Sequence, residues 1–488
     1  MKKSITKNYL YNLSYQILVM IIPLITTPYV SRVLGATNIG IYSYTLSITT
    51  FFILFGSLGI ALYGQREIAY EQDDKKKYSY TFWEIVVLRC ITMTISTLIY
   101  YFVFAVGNND YNLYYKILIV ELIGNMIDIS WFFQGLEEFK KTVLRNTLVK
   151  LISLVLILTL VKKPDDLPIY FVIYVLSTLL GNLSLWLYLP KYLTKVKIKD
   201  LKIFRHLKPT ISLFIPQIAI QVYTLLDKTM IGTIISDKSE VGYYEQAQKV
   251  VKMLLTIITS LGTVMMPRIA NTFASGNKEK VKEYMKKSFR MVFFLGFPLI
   301  FGLISASDAF VPFFFGSGYE KTGTIMKVIS PIILFIGLSN VTGTQYLLPT
   351  KRQKEYTLSV VFGACVNFVM NSLLIGRYGA IGASIGTVIA ELTVTSVQLY
   401  YTRKDFDFKK VIGLTRNYLF ASIIMFVCCK VTAHFITSNV ISIIAQVVVG
   451  ACIYGVILLI MKDEFLKEIL EKLKGKLNRN KTPKGEQV

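Results

Sequence analysis

Between residues 217 and 263 the chain carries two stripes of polar side chains at helical spacing. Gln217, Gln221, Thr224 and Lys228 fall at i, i+4, i+7 and i+11, and Gln248, Lys252, Thr256, Thr259 and Thr263 share a second face. Asp227 stands beside Lys228, and Glu245 and Lys249 open the second stripe. Nearer the start, Asn8, Asn12, Gln16, Pro23 and Thr27 align on one face. Glu121, Asn125 and Asp128 share another, Arg89 lies in the preceding apolar segment, Asn367 and Asn371 are one turn apart, and Glu391 interrupts a late apolar run. Lysine and arginine in such a setting suit an anion: Arg32, Lys228, Lys249 and Lys252 could hold a diphosphate or an acidic sugar. Amides at Asn12, Gln16, Gln217 and Gln221 would hydrogen-bond the same cargo, with Asp227 beside them. Glu121, Asp128 and Glu391 are candidates to carry a proton or sodium ion for coupling, with Arg89 as counter-charge. The same residues also allow a purely structural account. In it Arg89 neutralises Glu121 or Asp128, Asp227 neutralises Lys228, and Lys249 and Lys252 snorkel to an interface.

Enzymatic constellations are missing from the sequence. It contains no P-loop, so no nucleotide hydrolysis is expected. The five cysteines lie in apolar stretches without metal-ligand spacing, and there are only two histidines, His206 and His434. Neither a metal site nor a cofactor is expected. Spacings such as Gly382-x-x-x-Gly386 read as close helix packing.

What must position these residues is a set of membrane helices. Only 17% of the 488 residues are charged while 53% are hydrophobic, and a soluble domain is normally about a quarter charged. Segments of roughly 20 apolar residues suffice to span a bilayer, and about fourteen occur between residues 10 and 461. The formal charge of +24 is not gathered into a basic domain, as nucleic-acid binding would require. It is spread in short runs such as Lys191–Lys208 and Lys278–Lys287. With an even span count, the loops on the side of both termini hold 40 of the 54 Lys and Arg, and the opposite loops about 7. The positive-inside rule then places both termini in the cytoplasm. Past Lys462, Phe465, Leu466, Ile469, Leu470 and Leu473 recur among lysines, which predicts a short amphipathic surface helix followed by a disordered end.

The chain also repeats itself. Ile39-Gly40-x-Tyr42, Leu58-Gly59 and Arg66-x-Ile68-Ala69 return as Val241-Gly242-x-Tyr244, Leu261-Gly262 and Arg268-Ile269-Ala270, and 26 residues separate glycine from arginine in both copies. Six spans lie between the copies, so the repeat is parallel, about an axis along the membrane normal. The expected fold is therefore all-α and membrane-integral. It divides into an N-terminal six-helix lobe over 1–200, a C-terminal six-helix lobe over 201–405, two further helices over 406–461 and a basic tail over 462–488. A central cavity would lie between the lobes.

Several motifs resemble the Wzx-type polysaccharide flippases of the superfamily that includes multidrug-and-toxin extruders and lipid II flippases. They begin with Pro28-Tyr29-x-Ser31-Arg32-x-Leu34-Gly35 and Tyr63-Gly64-x-Arg66. They continue with Trp131-x-Phe133-Gln134-Gly135-x-Glu137, Asp227-Lys228-x-Met230-x-Gly232 and Tyr378-Gly379-Ala380-Ile381-Gly382-Ala383. The match extends over about residues 8–460. It implies transport of an undecaprenyl-diphosphate-linked oligosaccharide repeat unit to the outer leaflet of a bacterial plasma membrane, by alternating access, for capsule or O-antigen-type polysaccharide. Partners would be that lipid-linked substrate, membrane lipids, a polysaccharide polymerase and a coupling H+ or Na+. The resemblance carries Arg32, Asp227 and Lys228 over from their motifs without fixing their roles. The alternatives are a lipid II-type flippase and a cation-coupled small-molecule or drug antiporter. A membrane glycosyltransferase would need an acidic extramembrane loop that the sequence does not offer.

Overall fold

The structure is a computed structural model that describes residues 5–107, 110–468, 470 and 471. Along 5–20, 215–217, 219, 220, 222, 223, 261, 408–412 and 414 it describes the backbone. The regular secondary structure of the described residues is all helical, with no strand. In chain order the helices are α1 (Ile5–Ser57), α2 (Ile60–Tyr70), α3 (Lys75–Tyr100), α4 (Asn112–Met126), α5 (Ser130–Gly135), α6 (Phe139–Leu160), α7 (Leu167–Trp186) and α8 (Leu189–Tyr192). Then come α9 (Leu207–Ile234), α10 (Ser239–Ala274), α11 (Lys278–Phe314), α12 (Glu320–Ile329), α13 (Ile332–Ser339), α14 (Gln353–Tyr378), α15 (Ala380–Thr402), α16 (Phe408–His434) and α17 (Asn439–Ile460).

Twelve stretches among the described residues are long and apolar enough to cross a membrane. The first of them contains two arms, because α1 breaks at Gly35, whose φ of 77° a residue with a side chain rarely adopts. Helix α9, 28 residues long, adds one more. Counted this way, the spans among the described residues agree roughly with the about fourteen that the hydropathy predicts. Helix α3 starts where Asp74 accepts from the backbone N–H groups of Lys76 and Lys77 at 3.1 and 3.0 Å, an N-cap that satisfies two orphan donors.

Two compact units divide the chain. The first comprises 1–246, 315–319 and 367–383, and the second 247–314, 320–366 and 384–488. In lipid the hydrophobic effect gives little reason for helices to associate, so tight packing through small residues and interhelical hydrogen bonds must hold them. The first unit shows both. Trp131 is fully buried and stacks on Phe82, and Phe132 and Phe133 fill the same cluster. A Cβ at Gly64 would run into the Trp131 ring, and one at Gly135 into the carbonyl of Gln65. The residues between α8 and α9 are strapped along α3. Tyr78 donates to the Tyr192 carbonyl (2.8 Å), the Thr194 N–H to Ser79 Oγ (3.0 Å) and the Lys202 N–H to Glu84 Oε1 (2.7 Å).

In the second unit, Thr342 donates to Gln398 (2.6 Å), which donates on to Ser359 (3.0 Å). Arg290 and Tyr418 both reach Asp463, at 3.2 and 3.0 Å, which ties the residues past α17 to α11 and α16. The Asp463 carboxylate also caps Leu466, and the Phe465 ring sits 5.4 Å from that of Phe294. Residues 469 and 472–488 of the expected basic tail, Ile469 and Leu473 among them, lie outside the described residues.

Candidate functional site

Three groups of charged residues in the first unit are built around buried side chains. In the first, Arg89 is 4% exposed and faces Asp128, with Nη2 3.9 Å from Oδ2, while its Nε donates to the Asn125 carbonyl at 3.0 Å. Removing a charge from water costs several kcal/mol unless a partner offsets it, and Asp128 is that partner. Glu121, one turn before Asn125, points elsewhere.

Glu121 is itself 4% exposed. Its Oε1 accepts from Asn125 Nδ2 at 3.0 Å, the Thr178 hydroxyl faces it, and among the described residues no lysine or arginine pairs with it. Around it stand the rings of Tyr42 and Tyr174.

The second group is centred on Asp227, which is 1% exposed. Tyr244 donates to its Oδ2, and Asn367 and Asn371 of α14 donate to its Oδ1 at 3.0 and 2.7 Å. Three neutral donors hold one carboxylate. Lys228 turns the other way and ion-pairs with Glu245 of α10. Consecutive residues on a helix diverge by about 100°, so the two neighbours serve different partners rather than each other. Asn367 and Asn371, noted in the sequence only for their one-turn spacing, are thereby Asp227 ligands. Tyr244 and Glu245 are the partners that the stripe pattern alone did not pair.

The third group is the junction between α8 and α9. His206 is buried, its Nε2 lies 2.8 Å from Glu84 Oε2, and the Tyr63 hydroxyl lies 2.7 Å from its Nδ1. Arg205 Nη2 reaches the same Glu84 oxygen at 2.6 Å. Burial pushes the imidazole below its ordinary value, against the opposing pull of Glu84.

Other expected site residues fall as follows. Arg32 is exposed, with its aliphatic stem packed on Gly316, and Gln221 is exposed. Lys249 is half-buried and Lys252 exposed, and both belong to the second unit, as does the buried Glu391. The side chains of Asn12, Gln16 and Gln217 lie outside the described residues. The second unit also contains an apolar groove of about 600 Å³ lined by Phe294, Pro298, Leu303, Met425, Val447 and Tyr454. No cluster of His, Cys, Asp and Glu among the described residues could hold a metal ion.

Helices of this number and length, with carboxylates and cations partnered inside them, define a polytopic membrane protein with a polar interior. The chain belongs to the polysaccharide biosynthesis protein family, whose model matches residues 5–273; a MatE model matches 213–373. It is 27% identical over 409 residues to the "Putative O-antigen transporter" of Escherichia coli K12, covering 83% of this chain and 98% of that one. It is 23% identical over 380 residues to the capsular polysaccharide biosynthesis protein CapF of Staphylococcus aureus, covering 76% and 92%. In fold it matches the lipid II flippase MurJ in an inward closed conformation with a TM-score of 0.75, at 18% identity, over 95% of this chain and 100% of that one. An inward-facing MATE multidrug transporter matches with a TM-score of 0.60, at 13% identity, over 81% and 96%. Three of these four similar proteins are named as a transporter or a flippase, in keeping with the expectation that the chain is no enzyme.

Proposed function

We propose that this protein is a flippase for a prenyl-diphosphate-linked oligosaccharide, moving the repeat unit of a surface polysaccharide from the cytoplasmic to the outer leaflet by alternating access. The observation that carries the reading is the Lys228–Glu245 pair within membrane helices of the first unit. A lysine held by a single carboxylate can exchange that partner for a phosphate without ever standing bare in hydrocarbon, because the incoming anion takes over its charge. A sugar-diphosphate headgroup cannot cross about 30 Å of hydrocarbon unaided. The polar residues give it a route, and the apolar groove of the second unit has the chemistry of its prenyl chain. Family membership and the relatives named for O-antigen and capsule support the cargo class.

The two six-helix lobes over 1–200 and 201–405, the cytoplasmic placement of both termini and the coupling of transport to H+ or Na+ are parts of the same proposal. A polymerase would act on the product outside. The lipid II and drug-antiporter alternatives share the fold. A drug antiporter for cations is disfavoured because lysines 228, 249 and 252 outnumber the carboxylates on their stripes.

The test is the sidedness of the cargo. In cells lacking the gene, lipid-linked repeat units should accumulate on the cytoplasmic leaflet, inaccessible to an impermeant sugar-oxidising label in intact cells and accessible in inverted vesicles. Unchanged sidedness would remove the proposal.

A further inference from the structure

Of the chain's two histidines His434 is exposed, whereas His206 is buried where α2, α3 and the start of α9 meet in the first unit. His206 is the residue on which α9 begins, and the Thr210 hydroxyl donates back to its carbonyl. Its Nε2 lies 2.8 Å from Glu84 Oε2 of α3, and its Nδ1 lies 2.7 Å from the Tyr63 hydroxyl of α2. A carboxylate only accepts, so Nε2 carries the proton and Nδ1 accepts from Tyr63. Arg205 does not change this assignment. Its Nε is 2.8 Å from Glu84 Oε2 and 3.2 Å from Nε2, so the carboxylate is its nearer acceptor. One imidazole thus ties the first turn of α9 to two other helices.

The neutral ring fits this place and the charged ring does not. Around it α2 brings Tyr63 and the Arg66–Glu67 pair, α3 brings Glu84, and the segment before α9 brings Arg205; α5 brings no charge. Lys202 and Lys208 point to the exposed side, and Glu71 pairs with Lys77 at the end of α2. Two arginines face two carboxylates, so an imidazolium would add an uncompensated charge to a buried cluster. Protonation would also make Nδ1 a donor. The Tyr63 hydroxyl, whose one hydrogen bond among the described residues is to His206, would then have to turn its proton away, and Tyr63 is 4% exposed. A buried donor without an acceptor is costly. The next contact along α9 has no such sensitivity. A Cβ on Gly59 would stand 3.3 Å from the Phe214 backbone, and the Phe55 ring meets that of Phe214 edge-on at 6.0 Å. Helix α9 runs on to Lys228, about 33 Å further along at 1.5 Å per residue, so a tilt of its first turn displaces that lysine.

We infer that His206 is a proton-operated latch on α9. Neutral, it joins the start of the helix to Tyr63 and Glu84 and keeps Lys228 aligned. Protonated by a proton from water, it gives up the bond from Tyr63 and frees the first turns of α9, so transport slows when the cytoplasm turns acid. What the latch controls, and the side on which it meets protons, rest on the flippase reading and its orientation; the latch itself is read from α9 without any cargo.

The test follows hydrogen exchange of the full-length protein in lipid nanodiscs at pH 7.5 and 5.5, corrected for the intrinsic pH dependence of exchange. Amides of 207–214 should lose protection by about tenfold at the lower pH, while those of α15 keep theirs. His206→Gln can donate to Glu84 and accept from Tyr63 without titrating, so its protection over 207–214 should not change with pH. Glu84→Gln keeps an acceptor for the Lys202 N–H but removes the charge that favours an imidazolium, so the loosening should move to lower pH. In cells whose cytoplasm is acidified with benzoate at fixed external pH, surface polysaccharide export should fall about fivefold with the wild-type chain and stay level with His206→Gln. Protection over 207–214 that ignores pH in the wild-type protein would overturn the latch. Loosening that persists unchanged in His206→Gln would overturn the assignment to this histidine. Loosening of α9 without a fall in export would overturn the link to transport and leave the flippase reading in place.

Discussion

Gly40 and Gly242, equivalent positions of the internal repeat, pack against each other. A Cβ on Gly40 would overlap the carbonyl of Lys238, and a Cβ on Gly242 would overlap the carbonyl of Ala36. Each glycine therefore meets the residue four places before the other. The polar contacts alongside repeat the pattern: Gln246 Nε2 donates to Ser31 Oγ at 3.0 Å, and the Tyr44 hydroxyl lies 3.3 Å from Thr233 Oγ1, with the same offset between copies. Reciprocal contacts of this kind arise where an approximate two-fold axis passes between equivalent segments, as a parallel repeat requires.

Gly40→Ala and Gly242→Ala should each destabilise the protein by about 1–3 kcal/mol, the usual cost of overpacking, because the obstructing atoms are backbone and cannot rotate away. Gly376, also in a helix, has open space around its Cβ direction. Gly376→Ala should leave the melting temperature in detergent unchanged or slightly raised, since alanine suits a helix better than glycine. Thermal melts of the three variants check this, and equal behaviour of all three would contradict the contact.

Lys228→Gln alone should lower the yield of folded protein, because the Lys228–Glu245 ion pair is broken inside the membrane region, a loss that typically costs a few kcal/mol. Adding Glu245→Gln should restore the yield, since two amides can hydrogen-bond each other. Surface polysaccharide export should stay abolished in the double variant, because neither amide can meet a diphosphate with charge. Size-exclusion profiles and export measured side by side separate the two effects. Export by the double variant would leave the pair as structural glue.

The helices were legible in the sequence because the bilayer imposes a length and a hydropathy on each of them; Gly35, where α1 breaks, stood in the sequence only as a motif residue. Partner choice was less so. A stripe at 3.6-residue spacing reports a face but not what faces it, so Asp227 and Lys228 read as a mutual pair although they serve Asn367, Asn371 and Tyr244 on one side and Glu245 on the other. The packing of Tyr42 on Tyr170 and Tyr174 was hidden for a different reason. Tyr42 and Tyr170 are 128 residues apart, and tyrosine is so common here, with 31 copies, that no local pattern distinguishes these three from an interfacial belt.

His206 gives the junction ahead of α9 a defined pH response. Its folded-state pKa is lowered, mainly by burial, while Glu84, Arg205, Glu67 and the hydrogen-bonded Tyr63 surround it. A group that binds protons less readily when folded contributes stability that is complete above its unfolded value of about 6.5 and declines as pH falls below it. The melting temperature should therefore drop between pH 7.5 and 5.5. The drop should be smaller in His206→Gln, which keeps a hydrogen bond without a titration. A pH profile identical in the two proteins would mean that His206 contributes nothing to the response.

The proposed orientation of the chain rests on where its cations lie, and it can be tested independently of transport. Each lysine or arginine near an anionic leaflet is worth about 1 kcal/mol, and 40 such residues fall in the termini and the loops on their side against about 7 in the opposite loops. A fluorescent protein fused at the C-terminus should mature and fluoresce, and alkaline phosphatase fused at the same place should be inactive. Phosphatase fused after Lys163 or after Asp237, both in loops assigned to the outer side, should be active. The fusion after Asp237 is the more demanding test, because it lies beyond α9, whose 28 residues must cross the membrane for the sign to alternate correctly. Activity after Lys163 combined with inactivity after Asp237 would show that α9 does not span, and would take Asp227 and Lys228 out of the membrane interior.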